Sequence, residues 1–370
     1  MNKLYFLFFI LIFSLVYLGI HYYVYSRIVA GLSISVCARS YLRIFFLIAA
    51  LSFVLGEFLS RYISVYPVVY LGNVWFGIIS IALSIFIVKD ILGLLRCFAT
   101  RNDKLLTYSA IILVILLSGY ALYNAAQKPK LREVKITHRK ITKELSGFTI
   151  IQLSDLHLSV LKSAQWLGSI VDRVNGLNPD LIVITGDLMD SESKGTGEIC
   201  EALKNLKAKY GVFGITGNHE YYFGIDKFME IAKKSNINIL RNDKITIAND
   251  IELIGIDDDT GKQYQETGSD LKKIMQNCDF KKMIILLAHS PVGFGTAVDL
   301  GIDLQLSGHT HRGQIPPMNF LVYLYYKYPY GLYKKSSSYI YTTSGTGTWA
   351  IPMRLFSRSE IVKITLQNDK

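Results

Sequence analysis

The stretch F-T-I-I-Q-L-S-D-L-H, residues 148–157, joins a short apolar run to an aspartate and a histidine. The run is rich in β-forming residues and ends at polar ones, which is typical of a buried strand. Asp155 and His157 follow it directly. The stretch therefore predicts a strand whose carboxyl end carries two side chains able to bind a metal ion.

The same arrangement recurs along the second half of the chain. Further apolar runs of strand length lie at 181–185, 212–216, 251–256, 283–288 and 303–307. Four of them are followed by ligand-type residues, in the motifs G-D-L-M-D, G-N-H-E, a lone histidine and G-H-T-H. Helical stretches such as 163–176 alternate with the strands, which favours an α/β core. Sites in open α/β sheets form beyond the carboxyl ends of the strands.

One histidine or aspartate at a strand end is usually structural, but five of the chain's seven histidines occupy such positions. The candidate donors are Asp155, His157, Asp187, Asn218, His289, His309 and His311. Seven donors exceed one tetrahedral ion and suit two ions that share a carboxylate. Imidazole and carboxylate without thiolate favour Mn, Fe, Zn or Co. Two such metal ions side by side support hydrolysis at phosphorus, because they make a nucleophilic hydroxide available at neutral pH.

The first 127 residues are of a different kind. Three runs, 4–26, 62–88 and 105–127, contain no Asp, Glu, Lys or Arg, and a fourth, 44–60, is interrupted only by Glu57. Each long run suffices to cross a bilayer. We predict transmembrane helices near 4–25, 42–60, 67–88 and 105–125. A cleaved signal peptide is the alternative for the first run, which lacks an A-x-A-like site.

Lys and Arg in short loops predict the orientation of the helices. The first and third loops carry Arg27, Arg39, Arg43, Lys89, Arg96, Arg101 and Lys104. The opposite side carries Lys3, Arg61 and the residues Lys128, Lys130, Arg132 and Lys135 after the last helix. The count favours a multi-pass protein of the cell (inner) membrane with both termini and the catalytic domain outside the cytoplasm. Glu57 marks either a functional site or a helix end beside Arg61.

The remaining composition narrows the function classes. The net charge of +11 is attributed to a basic linker beside anionic lipid, and no nucleic-acid-binding motif occurs. The cysteines, Cys37, Cys97, Cys200 and Cys278, form no C-x-x-C. Buried free thiols are favoured over a Cys200–Cys278 bridge. We predict three regions: transmembrane helices in 1–127, the basic linker 128–145 and a catalytic domain in 146–370.

Taken in order, D-L-H, G-D-L-M-D, G-N-H-E, the lone histidine and G-H-T-H resemble the calcineurin-like metallophosphoesterases. The resemblance covers about 145–366 and implies a two-sheet sandwich flanked by helices. The segments 341–354 and 331–333 are similar to the bacterial membrane-associated subgroup, which includes relatives acting on UDP-2,3-diacylglucosamine. The four-helix front end resembles animal transmembrane proteins with a metallophosphoesterase domain.

The resemblance also implies roles for the candidate residues. Asp155, His157 and His311 would bind the first ion, Asn218, His289 and His309 the second, and Asp187 would bridge the two. His219 would lie over the phosphate, as a stabiliser of the transition state or as the acid for the leaving oxygen. After G-H-T-H the subgroup implies glycine, and here Arg312 stands instead. Arg312 is either a phosphate ligand or a surface side chain.

Two further segments leave alternatives open. D-D-D at 257–259 reads as an acidic solvated turn rather than a further metal site. Residues 318–333, dense in tyrosine, suit either a membrane interface or an arm packed on the second sheet, with packing slightly favoured.

We therefore expect a membrane-anchored dinuclear phosphohydrolase acting on a phosphorylated small molecule or a lipid-linked substrate. The alternatives are a membrane scaffold or receptor with a structural metal site, and a transporter. The complete ligand set disfavours the first, and the absence of an inverted repeat from the sequence disfavours the second.

Overall fold

The computed structural model describes residues 3–59, 66–94, 103–159, 161–190, 195–264 and 270–369, without the side chains of 3–7, 9, 10 and 57. The question of Glu57 therefore lies outside the described side chains. The chain divides into two compact units. The helical unit comprises 1–127, 313–321 and 350–357, and the sandwich unit comprises 128–312, 322–349 and 358–370.

Four long helices make up most of the helical unit. They are α1 (Lys3–Leu32), α2 (Val36–Leu59), α3 (Tyr66–Leu94) and α4 (Asp103–Ala126). All four are long and apolar enough to cross a membrane, as the sequence predicted. Helices α1 and α3 run six or seven residues past the predicted apolar cores at their C-terminal ends, α2 begins six residues earlier than predicted, and α4 agrees with its prediction within two residues.

Aromatic packing and a few polar contacts join the four helices. Tyr17, Phe46 and Phe86 belong to one buried cluster shared by α1, α2 and α3. His21 in α1 accepts a hydrogen bond at Nε2 from Trp75 Nε1, at 2.8 Å, and its Nδ1 lies 2.8 Å from the Tyr17 carbonyl. Since both ring nitrogens are engaged, His21 holds α1 against α3.

The sandwich unit contains twelve strands among its described residues. They are β1 (Lys130–His138), β2 (Thr149–Leu153), β3 (Leu181–Thr185), β4 (Val212–Ile215), β5 (Asn238–Ile239), β6 (Asp243–Ile247), β7 (Ile251–Gly255), β8 (Met283–Leu287), β9 (Leu304–Ser307), β10 (Gly331–Lys335), β11 (Ser338–Thr342) and β12 (Glu360–Asn368). They form two six-stranded sheets, in the orders β1-β12-β2-β3-β4-β5 and β10-β11-β9-β8-β7-β6. Strands β2 to β5 are parallel in the first sheet, as are β7, β8, β9 and β11 in the second.

Seven α-helices and two short 3₁₀ helices, Asp259–Tyr264 and His311–Gly313, complete the described fold. The α-helices are α5 (Ala164–Asn175), α6 (Thr196–Lys204), α7 (Asn218–Phe223), α8 (Ile225–Lys234), α9 (Leu271–Met275), α10 (Phe294–Asp299) and α11 (Met318–Tyr325). The inner faces of both sheets share one buried core, to which Val183 and Leu287 belong. Helices α5, α6 and α8 cover the outer face of the first sheet, and α9 and α10 that of the second. The expected two-sheet sandwich flanked by helices is confirmed.

Two segments differ from their sequence-based descriptions. Residues 130–138, expected within a basic linker, form β1, which pairs in parallel with β12 along nine residues. Val134, Ile136 and His138 are buried at alternate positions, while the exposed residues of this edge strand are all charged: Lys130, Arg132, Glu133 and Lys135. In the tyrosine-rich segment, 331–335 is the strand β10, whereas 318–325 is a helix. Cys37, Cys200 and Cys278 are free thiols, as predicted, but of these three Cys200 is buried, Cys278 is half-buried and Cys37 is exposed. Cys97 lies outside the described residues.

Candidate metal centre

The seven predicted ligands come from loops that follow parallel strands of both sheets. Strands β2, β3 and β4 of the first sheet lead to Asp155, His157, Asp187 and Asn218. Strands β8 and β9 of the second lead to His289, His309 and His311. The carboxyl ends of these strands therefore supply one site from two sheets.

Asp155, His157 and His311 form the first group of donors. Their donor atoms all lie within 4.8 Å of one another. His157 Nε2 is 3.0 Å from His311 Nε2, which is 3.4 Å from Asp155 Oδ1. Ligands that each bind an ion at ~2.1 Å stand roughly 3 Å apart, so this spacing fits one cation.

The second group comprises Asp187, His289, His309 and Asn218. Asp187 Oδ2 is 3.1 Å from His289 Nε2, and His309 Nδ1 is 3.2 Å from the same nitrogen. Asn218 Oδ1 lies 3.0 Å from His309 Nδ1. This set combines a carboxylate, an amide oxygen and two imidazoles, again at ligand spacing.

Asp187 belongs to both groups. Its Oδ2 also lies 3.8 Å from His157 Nε2, while its Oδ1 accepts a hydrogen bond from the His219 backbone N–H at 2.9 Å. Burial alone would raise the pKa of Asp187, but the imidazole of His289 and its neighbours hold that pKa well below its ordinary value. One ionised oxygen thus faces both donor groups.

The hydrogen bonds of the histidines indicate which nitrogens are free. His157 Nδ1 donates to Asp190 Oδ1 at 2.6 Å, and His289 Nδ1 donates to the Thr185 carbonyl at 2.8 Å. Burial disfavours the charged ring of His289, but Asp187 outweighs it and raises the pKa of His289 well above its ordinary value, so that without an ion a proton on Nε2 faces Asp187 Oδ2 at 3.1 Å. A cation at the centre of each group would take the place of such a proton, with the Nε2 lone pairs of His157 and His289 directed at it. An outer partner on the second nitrogen is the usual arrangement for a metal-binding histidine.

The ligand loops have an unusual backbone. Asp155, His157, Asp187, His309 and His311 all have positive φ, between 48° and 70°. This left-handed region costs energy for residues other than glycine, and such residues cluster at functional sites. Gly186, with φ 86°, lies beside them, and a Cβ there would stand 2.6 Å from His289 Nδ1. Glycine at 186 therefore allows the loops to approach closely.

Glu220 is a buried residue of the site that the motif analysis did not single out. Its carboxylate accepts hydrogen bonds from the backbone N–H groups of Asp187, Leu188, Met189 and Gly217, at 2.6–3.2 Å. It thereby ties the turn after β3 to the turn after β4. Its position in G-N-H-E, at the start of a helix, is a capping signal that could have identified it.

His219 lies beside the first group, and Asp190 is the second residue that sequence reasoning missed. Asp190 Oδ1 accepts from His219 Nδ1 at 2.8 Å as well as from His157 Nδ1. Burial disfavours the charged ring of His219, but Asp190 and Asp187 outweigh it and raise the pKa of His219 to about 9. One carboxylate thus orients both a candidate ligand and the candidate acid.

Aromatic side chains surround the histidines. The ring of His219 lies 5.4 Å from that of Tyr222 and 6.1 Å from that of Trp349, while His309 lies 6.0 Å from Tyr326. Tyr222 is 61% exposed and Trp349 48%. We call Tyr222, Tyr326 and Trp349 the aromatic rim. It offers apolar surface beside the metal-binding groups.

Arg312 follows the last ligand directly. It also has positive φ, 52°, and its guanidinium lies 4.5 Å from the centroid of the Tyr330 ring. The Tyr330 hydroxyl donates to Glu360 at 3.0 Å. Stacking on a fixed tyrosine orients Arg312, and its role toward phosphate stays a prediction.

The acidic turn at 257–259 is built differently from what either sequence alternative expects. Asp257 is buried and binds Arg241 in a two-pronged ion pair, with N–O distances of 2.9–3.2 Å. Thr216 and Asn242 donate to the same carboxylate. Asp259 is exposed and pairs with Lys262. Asp257 is therefore a buried ion-paired residue, and its partners are donors of hydrogen bonds rather than metal ligands.

Comparison with known proteins places the chain in a family. Residues 148–313 match the model of the calcineurin-like phosphoesterase family. A transmembrane protein with metallophosphoesterase domain from Danio rerio is 38% identical over 273 residues, covering 70% of this chain and 62% of that protein. The chain thus spans less than two thirds of that relative.

Two bacterial relatives are covered more fully. An uncharacterized metallophosphoesterase from Helicobacter pylori strain J99 is 36% identical over 272 residues, covering 72% of each chain. Another from Campylobacter jejuni is 32% identical over 323 residues, covering 81% of this chain and 84% of the relative. With its motifs in order, its sandwich of two sheets and these relatives, the chain belongs to the calcineurin-like metallophosphoesterases.

Proposed function

We propose that this chain is a membrane-anchored phosphohydrolase that uses two divalent metal ions to cleave a phosphoester or pyrophosphate bond. The observation that carries the proposal is the single oxygen Asp187 Oδ2, which faces His289 at 3.1 Å and His157 at 3.8 Å. An ionised carboxylate oxygen between two groups of nitrogen acceptors suits a bridge between two cations. Mn, Fe, Zn and Co all fit a set of imidazole, carboxylate and amide donors.

When bound, two such cations would supply a hydroxide nucleophile near neutral pH and neutralise charge on the phosphate oxygens. Asp155, His157 and His311 would hold one ion, and Asn218, His289 and His309 the other. The chain's own groups do the rest. Asp190 fixes the ring of His157 through Nδ1, and the Thr185 carbonyl fixes that of His289.

His219 is the proposed acid for the leaving oxygen. Its Nδ1 is held by Asp190 at 2.8 Å, so its Nε2 is the atom available to substrate. A proton on Nε2 can pass to the oxygen that leaves phosphorus, and Asp190 stabilises the ring in its charged form. Arg312, placed next to His311 and stacked on Tyr330, is a candidate for a second contact to phosphate.

We propose a lipid-linked or nucleotide-lipid compound as the substrate class. The support is the aromatic rim around His219 and His309 together with four helices able to span a bilayer. The UDP-2,3-diacylglucosamine type belongs to this class. The count of Lys and Arg in the short loops supports an inner-membrane location with the catalytic domain outside the cytoplasm.

The test is a substrate panel on the detergent-purified chain, stripped of metal and reloaded with Mn. Aryl phosphates, diesters, UDP-diacylglucosamine and isoprenoid pyrophosphates are compared, with release of product phosphate or nucleotide as the readout. We expect turnover that needs metal and is fastest on an amphiphilic substrate. His219→Ala should retain its metal while kcat falls by about 10²–10⁴-fold.

The matched control is Phe280→Ala, which removes an exposed aromatic side chain just before β8, at the opposite end of that strand from His289. It should keep wild-type turnover. A folded chain that binds metal yet cleaves no member of the panel would favour the scaffold alternative. If His219→Ala came out folded but metal-free, the assignment of His219 as acid rather than ligand would be wrong.

A further inference from the structure

Two segments outside the first 127 residues belong to the helical unit. Loop A is residues 313–321, and it begins two residues after His311. Loop B is residues 350–357, and it directly follows Trp349 of the aromatic rim. Nothing in their sequence motifs links them to the transmembrane helices, so their contacts with α3 and α4 are a finding of the structure.

Hydrogen bonds fix both loops to the helices. Ser80 Oγ donates to the Pro316 carbonyl of loop A at 2.6 Å. Asn124 Nδ2 donates to the carbonyls of Arg354 and Ser357 in loop B, at 2.9 and 2.8 Å. Ser80 lies midway along α3, whose ends are Tyr66 and Leu94. Loop A therefore contacts α3 away from both of its ends, whereas loop B contacts α4 close to its end at Ala126.

Apolar side chains also join loops A and B to α3 and α4. Ile315 of loop A and Ile351, Met353 and Leu355 of loop B form one buried cluster with Ile81 and Ala121. Gly77 of α3 lies directly against Met353, and a side chain at 77 would displace it. Loop A has no charged residue, and loop B has only Arg354, which is fully buried and donates to Ser357.

The irregular backbone of the loops is satisfied within the protein. Gln314 Nε2 donates to the Ile351 carbonyl at 2.8 Å, and the Gln314 carbonyl accepts from Leu355 N–H at 2.8 Å. Irregular backbone is tolerated at membrane depth only when protein covers it and its polar groups are paired. Residues 313–316 are all buried, and each of their four backbone carbonyls accepts a hydrogen bond from within the protein.

Helix α11 begins in loop A, and most of its large apolar side chains are exposed rather than buried. Asn319 and Val322 are buried, whereas the opposite face carries apolar side chains that are largely exposed. These are Phe320 (64%), Leu321 (49%), Leu324 (83%) and Tyr325 (78%). At positions i, i+1, i+4 and i+5 they form one continuous stripe. Such a stripe on a short surface helix marks contact with an apolar partner.

We propose that this outward face of α11 lies in the bilayer, at the boundary between headgroups and acyl chains, and that loops A and B hold it there through their hydrogen bonds to α3 and α4. Lipid is favoured over a protein partner because α11 starts two residues after Pro316, which is bonded to the middle of α3. The helix ends in Tyr325, followed by Tyr326 and Lys327, residue types enriched at membrane interfaces. The proposal does not depend on phosphohydrolase activity.

The test places an environment-sensitive fluorophore (NBD) on Leu324→Cys, in a chain whose four native cysteines are replaced by alanine, reconstituted into phosphatidylcholine vesicles. We expect blue-shifted emission and strong quenching by lipids with a nitroxide at a shallow acyl position, since interfacial helices insert about 5–10 Å. The matched control is Phe280→Cys, which replaces an exposed aromatic residue just before β8. Its probe should emit as in water and escape quenching.

Phe320→Cys, one turn earlier on the same stripe, is the second site and should behave like Leu324→Cys. Circular dichroism and metal content, compared with the unlabelled chain, establish that each labelled protein is folded. Water-like emission at both sites would overturn the proposal. So would blue-shifted emission without nitroxide quenching, because it would mean that a second copy or another protein covers the face.

Discussion

Asp187 and Asp257 lie at equivalent positions in the two sheets but have partners of opposite kinds. Each lies two residues beyond a fully buried strand, β3 or β7, and each is almost inaccessible, at 2% and 5%. Asp187 faces imidazole nitrogens of His289 and His157. Asp257 faces the guanidinium of Arg241 and the hydroxyl of Thr216.

The difference teaches how to recognise a metal-binding carboxylate when burial alone does not separate candidates. A buried carboxylate is costly unless a partner neutralises it. Arg241 already supplies the positive charge for Asp257, so that turn needs no ion. Around Asp187 the neighbours are themselves acceptors, and only a cation or protons satisfy them together. The nature of the partners, rather than the number of acidic residues, distinguishes the two turns.

The largest effect is expected from a variant that removes the charge of Asp187, the carboxylate proposed to bridge the two ions. Asp187→Asn keeps the size of the side chain but removes the charge shared by both donor groups. We expect a loss of bound metal and a fall in kcat on the order of 10³-fold or more, beyond that for one hydrogen-bond donor. Elemental analysis of the purified chain and turnover on the best substrate of the panel measure both. Full metal content with near-normal turnover would remove Asp187 as the bridge.

Much of this centre could be predicted from the sequence, for a physical reason. A strand buried on both faces reads as an apolar run, and the residues just after it are fixed at the sheet edge. Motifs at those points therefore identified seven candidate ligands, and the structure brings their donor atoms together in two groups. The family's two-sheet arrangement explains how His311 joins Asp155 and how His289 joins Asp187, contacts that the spacing along the chain does not predict.

What the sequence did not provide were partners set by tertiary structure. Asp190 lies inside G-D-L-M-D, yet its link to both His157 and His219 depends on two other loops. Arg241 is 16 residues before Asp257, in a turn that carries no motif. Strand β1 was not recognised because its exposed residues are all charged and mostly basic, and because only three positions, Val134, Ile136 and His138, alternate as buried ones. Each of these three features becomes recognisable only when the residues packed against it are known.

A smaller effect is expected at Asp190, which touches a ligand rather than an ion. Asp190→Asn removes the charge that orients the rings of His157 and His219. Outer partners of metal-binding histidines typically contribute 10–100-fold in affinity or activity, and we expect a loss of about that size. Metal titration and kcat are measured separately, with Asp226→Asn, a variant at the start of α8, as the control.

Asp190 can act on turnover through His219 and on metal affinity through His157, and the double variant His219→Ala, Asp190→Asn separates these two effects. If Asp190 acts on kcat through His219, adding Asp190→Asn to His219→Ala should cost little further turnover. Its effect on metal affinity, which runs through His157, should persist in the double variant. Fully additive losses in kcat would mean that Asp190 does not act through His219.

The smallest effect on activity is expected from a variant that breaks the ion pair between Arg241 and Asp257. Arg241→Met leaves Asp257 buried beside Thr216 and Asn242 without its cation. Removing one partner of a fully buried pair costs about 3–5 kcal/mol, and partly exposed Arg241 should cost less, about 2 kcal/mol of unfolding free energy. Thermal or denaturant unfolding of the vesicle-free chain in detergent measures it. Metal content and kcat per folded molecule should match the wild type.

Asp257→Asn sharpens the same point, because it removes the charge that Arg241 neutralises and keeps the hydrogen bonds from Thr216 and Asn242 available. If Asp257 is purely structural, this variant and Arg241→Met should differ in stability but agree in metal content. A loss of bound metal in Asp257→Asn would show that the turn after β7 contributes to ion binding. The paired carboxylate and the bridging one would then differ in degree, and the choice of partners would no longer separate them.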